Sequence, residues 1–190
     1  MEDFDEIFLM IQNLKHELSM LNRPMNPFVE ARSFNVEVKR KIFEIRENII
    51  DFLQEKECDL KEELVELMDI SIHSNDHEAQ IENNKKLIFT HGKYQQVILL
   101  INEICNIFGH DGEKNGKYYH CEICGKIIHE LEYTDYRDVN LQQIQINLAN
   151  SFLSLDNEKR QRKIIELFPK VTYDPEDFDN EVIKRRTRVK

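Results

Sequence analysis

The distribution of glycine and proline constrains the fold of this chain most. Neither residue occurs between Pro27 and Gly92, a stretch several times longer than an average helix. Because these two residues are the main breakers of regular secondary structure, the stretch favours long helices. Four of the five glycines instead fall close together, at Gly109, Gly112, Gly116 and Gly125. The sequence therefore predicts a mainly α-helical chain that is interrupted by one short region of different structure.

Apolar residues at spacings of three and four predict where the helices lie. Helices are predicted over residues 2–22, 35–72, 76–105 and 138–168. The second could be one helix or two that abut near Lys56, and the third is either continuous or broken near Gly92. Between the last two, Asp111–Gly116 has loop composition, and Lys117–Cys121 and Lys126–His129 are two short β-type runs. These runs predict a β-hairpin between the third and last helices.

Three cysteines and one histidine around this hairpin have the spacing of a metal site. The pattern is Cys105-x4-His110-x10-Cys121-x2-Cys124, followed by Gly125. Structural zinc takes four ligands in a tetrahedron and favours thiolate and imidazole. A Cys-x2-Cys turn presents two sulfurs to one ion, and glycine after it permits a backbone that points an amide at a sulfur. The sequence therefore predicts one structural Zn²⁺ held by Cys105, His110, Cys121 and Cys124.

The Cys-x2-Cys-Gly turn resembles the knuckle of zinc ribbons in general. The resemblance covers residues 118–128 only. It departs from the usual ribbon because the first ligand pair is Cys-x4-His at a helix end, not a second Cys-x2-Cys turn. The resemblance therefore implies metal binding and nothing further about function.

The fourth ligand has alternatives in the sequence. His120 is adjacent to a predicted ligand, and His129 could reach back across the hairpin. Cys58 is far from the other cysteines and is more typical of a small core residue than of a ligand. His110-Asp111 also matches the His-Asp doublet of helical metal phosphohydrolases, with His73, His77 and His91 as further conceivable ligands, but the nearby thiols explain His110 better.

Charge and composition favour some classes of function over others. The net charge is −10, and the basic run from Lys184 to Lys190 holds five of the positive charges, so residues 1–183 carry −15. A body of this charge repels phosphate and disfavours nucleic-acid binding, although the basic tail leaves that role open. The start lacks the pattern of a signal peptide, and no apolar run reaches membrane-spanning length. We therefore expect a cytoplasmic protein with reduced thiols and no membrane association.

These features together predict an architecture. It is a helical bundle or long helical hairpin with a small zinc-stapled β-hairpin. Its parts are an N-terminal helical region (1–104), a zinc module (105–133), a C-terminal helix packing on the rest (134–168) and a charged tail (169–190). The apolar stripe of the first helix must be covered by the same chain or by a second copy, which suggests a homodimer. That stripe comprises Phe4, Ile7, Phe8, Ile11, Leu14, Leu18 and Leu21.

Three classes of function follow from the sequence. No catalytic motif is present, which favours a non-enzymatic adaptor or regulator that binds a protein partner through its helices. The second class is a nucleic-acid-associated regulator that uses the zinc module and the basic tail. The third, and least supported, is a metal-dependent hydrolase.

Overall fold

The computed structural model describes residues 5–20, 31–73 and 77–167, and this part of the chain is mainly helical with a small antiparallel sheet. Its elements are α1 (Asp5–Met20), α2 (Ala31–His73), α3 (His77–Phe108), β1 (Gly112–Asn115), β2 (Tyr118–Cys121), β3 (Ile127–His129), α4 (Leu141–Asn150), a short 3-10 helix (Phe152–Ser154) and α5 (Asn157–Leu167). The predicted charged tail, 169–190, lies outside the described residues. No helix in the described ranges is long and apolar enough to cross a bilayer.

The two long helices are continuous where the sequence left breaks open. α2 runs through Lys56 without interruption, and α3 runs through Gly92. A single internal glycine costs a helix only about 1 kcal/mol relative to alanine. Gly92 is buried, so packing against the surrounding chain offsets this cost.

The predicted C-terminal helix, 138–168, is wrong as a single element. α4 ends before Ser151, whose backbone is extended and whose hydroxyl accepts a hydrogen bond from the N–H of Leu153. The N–H of Ser151 donates to the carbonyl oxygen of Leu148, which closes the last turn of α4. Serine competes for backbone groups in this way, so it ends one helix and caps the next short one. α5 then begins at Asn157.

The sheet has one more strand than the sequence predicts. The expected loop at Asp111–Gly116 contains β1, which pairs antiparallel with β2 from Gly112 opposite Cys121 to Asn115 opposite Tyr118. β2 pairs antiparallel with β3, so the strand order is β1-β2-β3. The polar residues Glu113–Asn115 give no strand signal in the sequence, because an exposed edge strand needs no apolar residues.

The described chain forms two compact units. The first contains residues 5–20, 31–55 and 98–156, and the second contains residues 56–73, 77–97 and 157–167. The first unit holds most of the fully buried apolar side chains, which come from α1, α2, α3 and α4: Ile7, Ile11, Leu14, Ile42, Ile49, Leu53, Ile101, Ile104, Phe108 and Ile144. Its core is therefore built by helices that are distant in sequence.

The described part of the apolar stripe of α1 is covered within the chain, and Phe4 and Leu21 of that stripe lie outside the described residues. Ile7, Ile11, Leu14 and Leu18 are all buried, and α1 contacts α4 and the 3-10 helix. The Lys15 ammonium also donates to the carbonyl oxygen of Ser154 at 2.7 Å. The homodimer stays a prediction, but it no longer follows from an uncovered stripe.

We predict that the first unit depends on the buried face of α1. Leu14 is 0% exposed and Leu9 is 58% exposed on the same helix. Leu14→Ala removes buried methyl groups and leaves a cavity, which costs about 2–5 kcal/mol of unfolding free energy. Leu9→Ala, the matched control, should change it by less than about 0.5 kcal/mol. Urea unfolding followed by circular dichroism measures both, and equal effects would show that α1 is not packed as described.

Candidate metal centre

The metal-centre region begins at the C-terminal end of α3. The helix continues to Phe108, so Cys105 lies in its last turn and not at the end that the sequence predicts. The side-chain amide of Asn147 in α4 donates to the carbonyl oxygens of Asn106 and Ile107, at 3.2 and 3.1 Å. The last carbonyls of a helix have no helical partner, so Asn147 satisfies two of them and ties α3 to α4.

Gly109 turns the chain out of α3. Its φ is +90°, a conformation that residues with a Cβ adopt at a cost. A Cβ here would lie 2.8 Å from Val139 Cγ2, 2.9 Å from the carbonyl oxygen of Thr134 and 2.9 Å from Tyr136 Cα. Both the backbone angle and the close approach of a neighbouring segment therefore require glycine at this position.

His110 is fixed by its backbone. Its N–H donates to the carbonyl oxygen of Thr134 at 2.8 Å, and its own carbonyl accepts from the N–H of Tyr136 at 3.1 Å. The hydroxyl of Tyr133 donates to the same carbonyl at 3.1 Å. The result is a parallel β-bridge between His110 and Asp135. This pairing fixes the backbone of His110 and so limits where its imidazole can point.

The Cys-x2-Cys turn joins β2 to β3. Cys121 ends β2, and its N–H donates to the carbonyl oxygen of Lys126 at 2.9 Å. Gly125 has a φ of +70°, as the sequence led us to expect of a left-handed turn. Its N–H donates to the carbonyl oxygen of Cys121 at 2.9 Å, and the backbone amide that points at the Cys121 thiol is that of Cys124. The turn brings Cys124 back beside Cys121.

The four predicted ligand residues meet in one place, which we call the Cys/His cluster: Cys105, His110, Cys121 and Cys124. One ligand atom from each lies within 4.8 Å of all the others. His110 Nδ1 is 3.5 Å from Cys124 Sγ. Three of the residues are buried, Cys124 is half-buried, and all four cysteines of the chain are free thiols. The cluster could hold a metal ion.

Comparison with protein-family models, with curated proteins and with solved structures finds no match to this chain. The chemistry of the cluster must therefore be argued from its own residues.

Hydrogen bonds link the side chains of the cluster. Hydrogen bonds from Cys105 and Cys124 hold the pKa of the Cys121 thiol well below its usual range, and hydrogen bonds to Cys121 and Cys124 raise the pKa of the Cys105 thiol. Burial alone would lower the pKa of His110, but its hydrogen bonds to the two thiols of the turn raise it to about 9. Such a group of negatively and positively polarised ligand atoms suits a cation that replaces the hydrogen-bonded protons.

Two tyrosines beside the cluster were missed by the sequence interpretation. Tyr119 lies two residues before Cys121 on β2, so both point to the same face of the sheet. Its ring stacks on that of Tyr133, with centroids 3.8 Å apart and planes 7° apart. Burial raises the pKa of Tyr133, which keeps its hydroxyl protonated as the donor to the carbonyl of His110. The alternation along β2 is the signal that would have found Tyr119.

The other candidate ligands lie outside the cluster. His120 is exposed on β2. His129 accepts a hydrogen bond from the N–H of Leu131 at 3.3 Å, and its ring makes an edge contact with Tyr118. Cys58 is exposed on α2, so the expectation that it is a small core residue is wrong. His110 is thus the histidine that the structure brings to the three thiols.

The His-Asp doublet has no metal group of its own. Within the described ranges, the Cys/His cluster is the only set of three or more His, Cys, Asp or Glu side chains close enough to share an ion. Asp111 is not among its members, although it follows His110 directly. His77 and His91 belong to no such set, and the side chain of His73 lies outside the described residues.

We predict that Gly109→Ala disrupts the cluster more than the same change at another left-handed glycine. Gly116 has a φ of +63° but an added Cβ there would meet nothing within 4 Å. Gly116→Ala should therefore cost about 1–2 kcal/mol for the backbone conformation alone. Gly109→Ala adds a clash with the backbone of Thr134 and should lower both the melting temperature and the metal content. Calorimetry and metal analysis of the two variants test this, and matched losses would contradict it.

Proposed function

We propose that the Cys/His cluster holds one zinc ion. A tetrahedral zinc with bonds of about 2.3 Å to sulfur and 2.0 Å to nitrogen places sulfur and nitrogen ligands about 3.5 Å apart. The distance of 3.5 Å between His110 Nδ1 and Cys124 Sγ supports this geometry. Three thiolates and one imidazole are soft donors that suit zinc better than magnesium or calcium, which prefer oxygen ligands.

The zinc that we propose is structural. Four protein ligands complete a tetrahedron and leave no position for water or substrate, whereas catalytic zinc usually keeps one open. The segment that contains three of the ligands is rich in glycine and has short strands. Such a segment cannot bury a core of its own, so we infer that the metal holds it in a zinc-ribbon-like knuckle on a helical scaffold.

We propose that the protein as a whole is a non-enzymatic adaptor or regulator that binds a protein partner through its helices. The observation that carries this proposal is the closed Cys/His cluster. Its four ligand residues would all bind the one ion, whereas an enzyme would need an exposed ligand position for water or substrate. Exposed apolar side chains on the long helices, including Val65 and Met68 of α2, add support, because such side chains favour protein contacts.

We predict that the purified protein contains about one zinc per chain. Cys121→Ser and Cys124→Ser each remove a ligand, so both should abolish stoichiometric zinc and lower the melting temperature, because structural metal binding is coupled to folding. Cys58→Ser is the matched control, since Cys58 is an exposed thiol outside the cluster, and it should change neither quantity. Elemental analysis and calorimetry are the measurements.

Two results would contradict the zinc proposal. One is a wild-type protein that contains no metal and whose cluster thiols react rapidly with alkylating agents. The other is an unchanged melting temperature after a chelator has verifiably removed the metal, which would show that the native protein binds the ion but does not need it for stability.

The adaptor proposal predicts that the tagged, zinc-loaded protein recovers a defined protein partner from its native host in near-stoichiometric amount. The same preparation should hydrolyse no phosphoester in a substrate panel, because the closed cluster offers no site for water. Turnover that disappears in Cys121→Ser would make the hydrolase hypothesis the better one. Recovery of nucleic acid in place of protein, with binding that persists at about 150 mM salt, would favour the regulator hypothesis.

A further inference from the structure

The two halves of the Cys/His cluster come from different segments of the chain. Cys105 and His110 belong to α3 and the turn that follows it, whereas Cys121 and Cys124 belong to the end of β2 and the turn after it. A metal ion needs all four ligand atoms at bonding distance at once. The contacts that hold the two halves together therefore set how well the site is formed before the ion enters. Tyr133 contacts both halves.

The hydroxyl of Tyr133 holds the backbone of His110. It donates to the carbonyl oxygen of His110 at 3.1 Å and lies 3.5 Å from the carbonyl oxygen of Gly112. The same His110 carbonyl accepts from the N–H of Tyr136 at 3.1 Å, and a carbonyl oxygen has two lone pairs for two such bonds. With both lone pairs engaged, the peptide plane after His110 is held, and this restricts the direction of the imidazole.

The ring of Tyr133 is fixed against the strand that carries Cys121. It stacks on Tyr119, with centroids 3.8 Å apart and planes 7° apart. Tyr119 lies two residues before Cys121 on β2, so both side chains leave the strand on the same face. The backbone N–H of Tyr133 donates to the carbonyl oxygen of His129, at the end of β3, at 3.0 Å. The sheet therefore holds the ring, and the ring carries the hydroxyl that reaches His110.

We propose that Tyr133 is a positioning residue for the metal centre. Its ring is placed by the sheet through Tyr119, and its hydroxyl sets the backbone of His110, so the imidazole stays within reach of the ion that the cysteines bind. A residue that served only the packing of the sheet would need the ring and not the hydroxyl. The inference rests on the proposed zinc site and names the residue that aligns its one nitrogen ligand.

Tyr133→Phe tests the hydroxyl, because phenylalanine keeps the ring for the stack. The affinity of the full-length protein for Zn²⁺, measured by competition with a chromophoric chelator, should fall about three- to tenfold through the loss of one hydrogen bond. Tyr118→Phe is the matched control. It removes the same group from a residue that is 51% exposed and lies on the other face of β2. It should change the affinity by less than about twofold.

The His110→Ala background separates positioning from general stability. Without the imidazole the three cysteines of the cluster remain, and the hydroxyl of Tyr133 has no nitrogen ligand left to align. Tyr133→Phe should then change the weaker Zn²⁺ affinity by less than about twofold. If Tyr133 only stabilised the fold, its substitution would weaken Zn²⁺ binding equally in both backgrounds, because independent effects add. Circular dichroism at saturating Zn²⁺ verifies that every variant folds.

Tyr119→Leu tests the link to the sheet. It removes the stack and leaves the hydroxyl of Tyr133 in place, so the Zn²⁺ affinity should fall because the ring is no longer held. Tyr133→Phe added to Tyr119→Leu should then cost less than it costs alone, since the hydroxyl of an unsupported ring no longer sets His110. Additive losses would show that the ring and the hydroxyl act independently, which would reject the coupling of the two halves.

Three results overturn the positioning role. They are equal Zn²⁺ affinities of wild type and Tyr133→Phe, an equal loss of affinity in Tyr118→Phe, and a loss that persists undiminished in the His110→Ala background. In each of them the wild type still binds zinc, so the proposed metal centre stands. A wild-type protein that takes up no Zn²⁺ rejects the zinc site itself, and the role of Tyr133 fails with it.

Discussion

The backbone pairing between His110 and the segment Thr134–Tyr136 is the interaction on which the candidate metal centre depends. It exists because Gly109 lets α3 end in a left-handed turn with a neighbouring backbone less than 3 Å from where a Cβ would stand. Cys105 belongs to the helix before this turn, and His110 follows it. The turn at Gly109 therefore sets where Cys105 and His110 stand relative to the two thiols of the Cys-x2-Cys turn. Those two thiols are supplied by the sheet.

A buried cation contacts the segment that pairs with His110. Arg46 of α2 is almost fully buried, and its guanidinium lies 4.3 Å from the ring centroid of Tyr136. Its Nε and Nη2 atoms have no hydrogen-bond partner among the described residues, while Nη1 pairs with Glu47. A buried charge with unpaired donors is costly, and a desolvated cation–π contact returns about 2 kcal/mol. Arg46 thus ties α2 to the residue that pairs with His110, at an energetic cost that an apolar side chain would not incur.

The sequence predicts those features that depend on short stretches of chain. The long helices follow from the absence of glycine and proline, and the approach of Cys121 to Cys124 follows from a spacing that one turn can close. The strands β2 and β3 lie within a residue of their predicted bounds, because aromatic and β-branched residues mark them. The break at Ser151 was missed, since apolar spacing continues across it and only the local hydrogen bonds of the serine reveal the end of α4.

Features that depend on distant residues could not be predicted in this way. Nothing in the run Thr134–Asp135–Tyr136 indicates that it pairs with His110, because the pairing is parallel, one residue long and between segments distant in sequence. The role of Arg46 is equally invisible, since an arginine among charged residues on a helix is ordinarily exposed. The ligand residues of the cluster could be predicted, because their type and spacing are visible in the sequence. The contacts that position them could not, because those contacts depend on how distant segments pack in the fold.

The second unit buries polar side chains between its helices as well as apolar ones. The first unit buries isoleucine and leucine from four helices, and it also buries three of the four residues of the Cys/His cluster. In the second, Asn83 and Thr90 are buried between α2 and α3 while Val65 and Met68 face outward. Burying apolar area stabilises a fold, and a satisfied buried hydrogen bond also contributes about 0.5–1.5 kcal/mol, so the second unit depends on the hydrogen bonds of Asn83 and Thr90 as well as on apolar contacts.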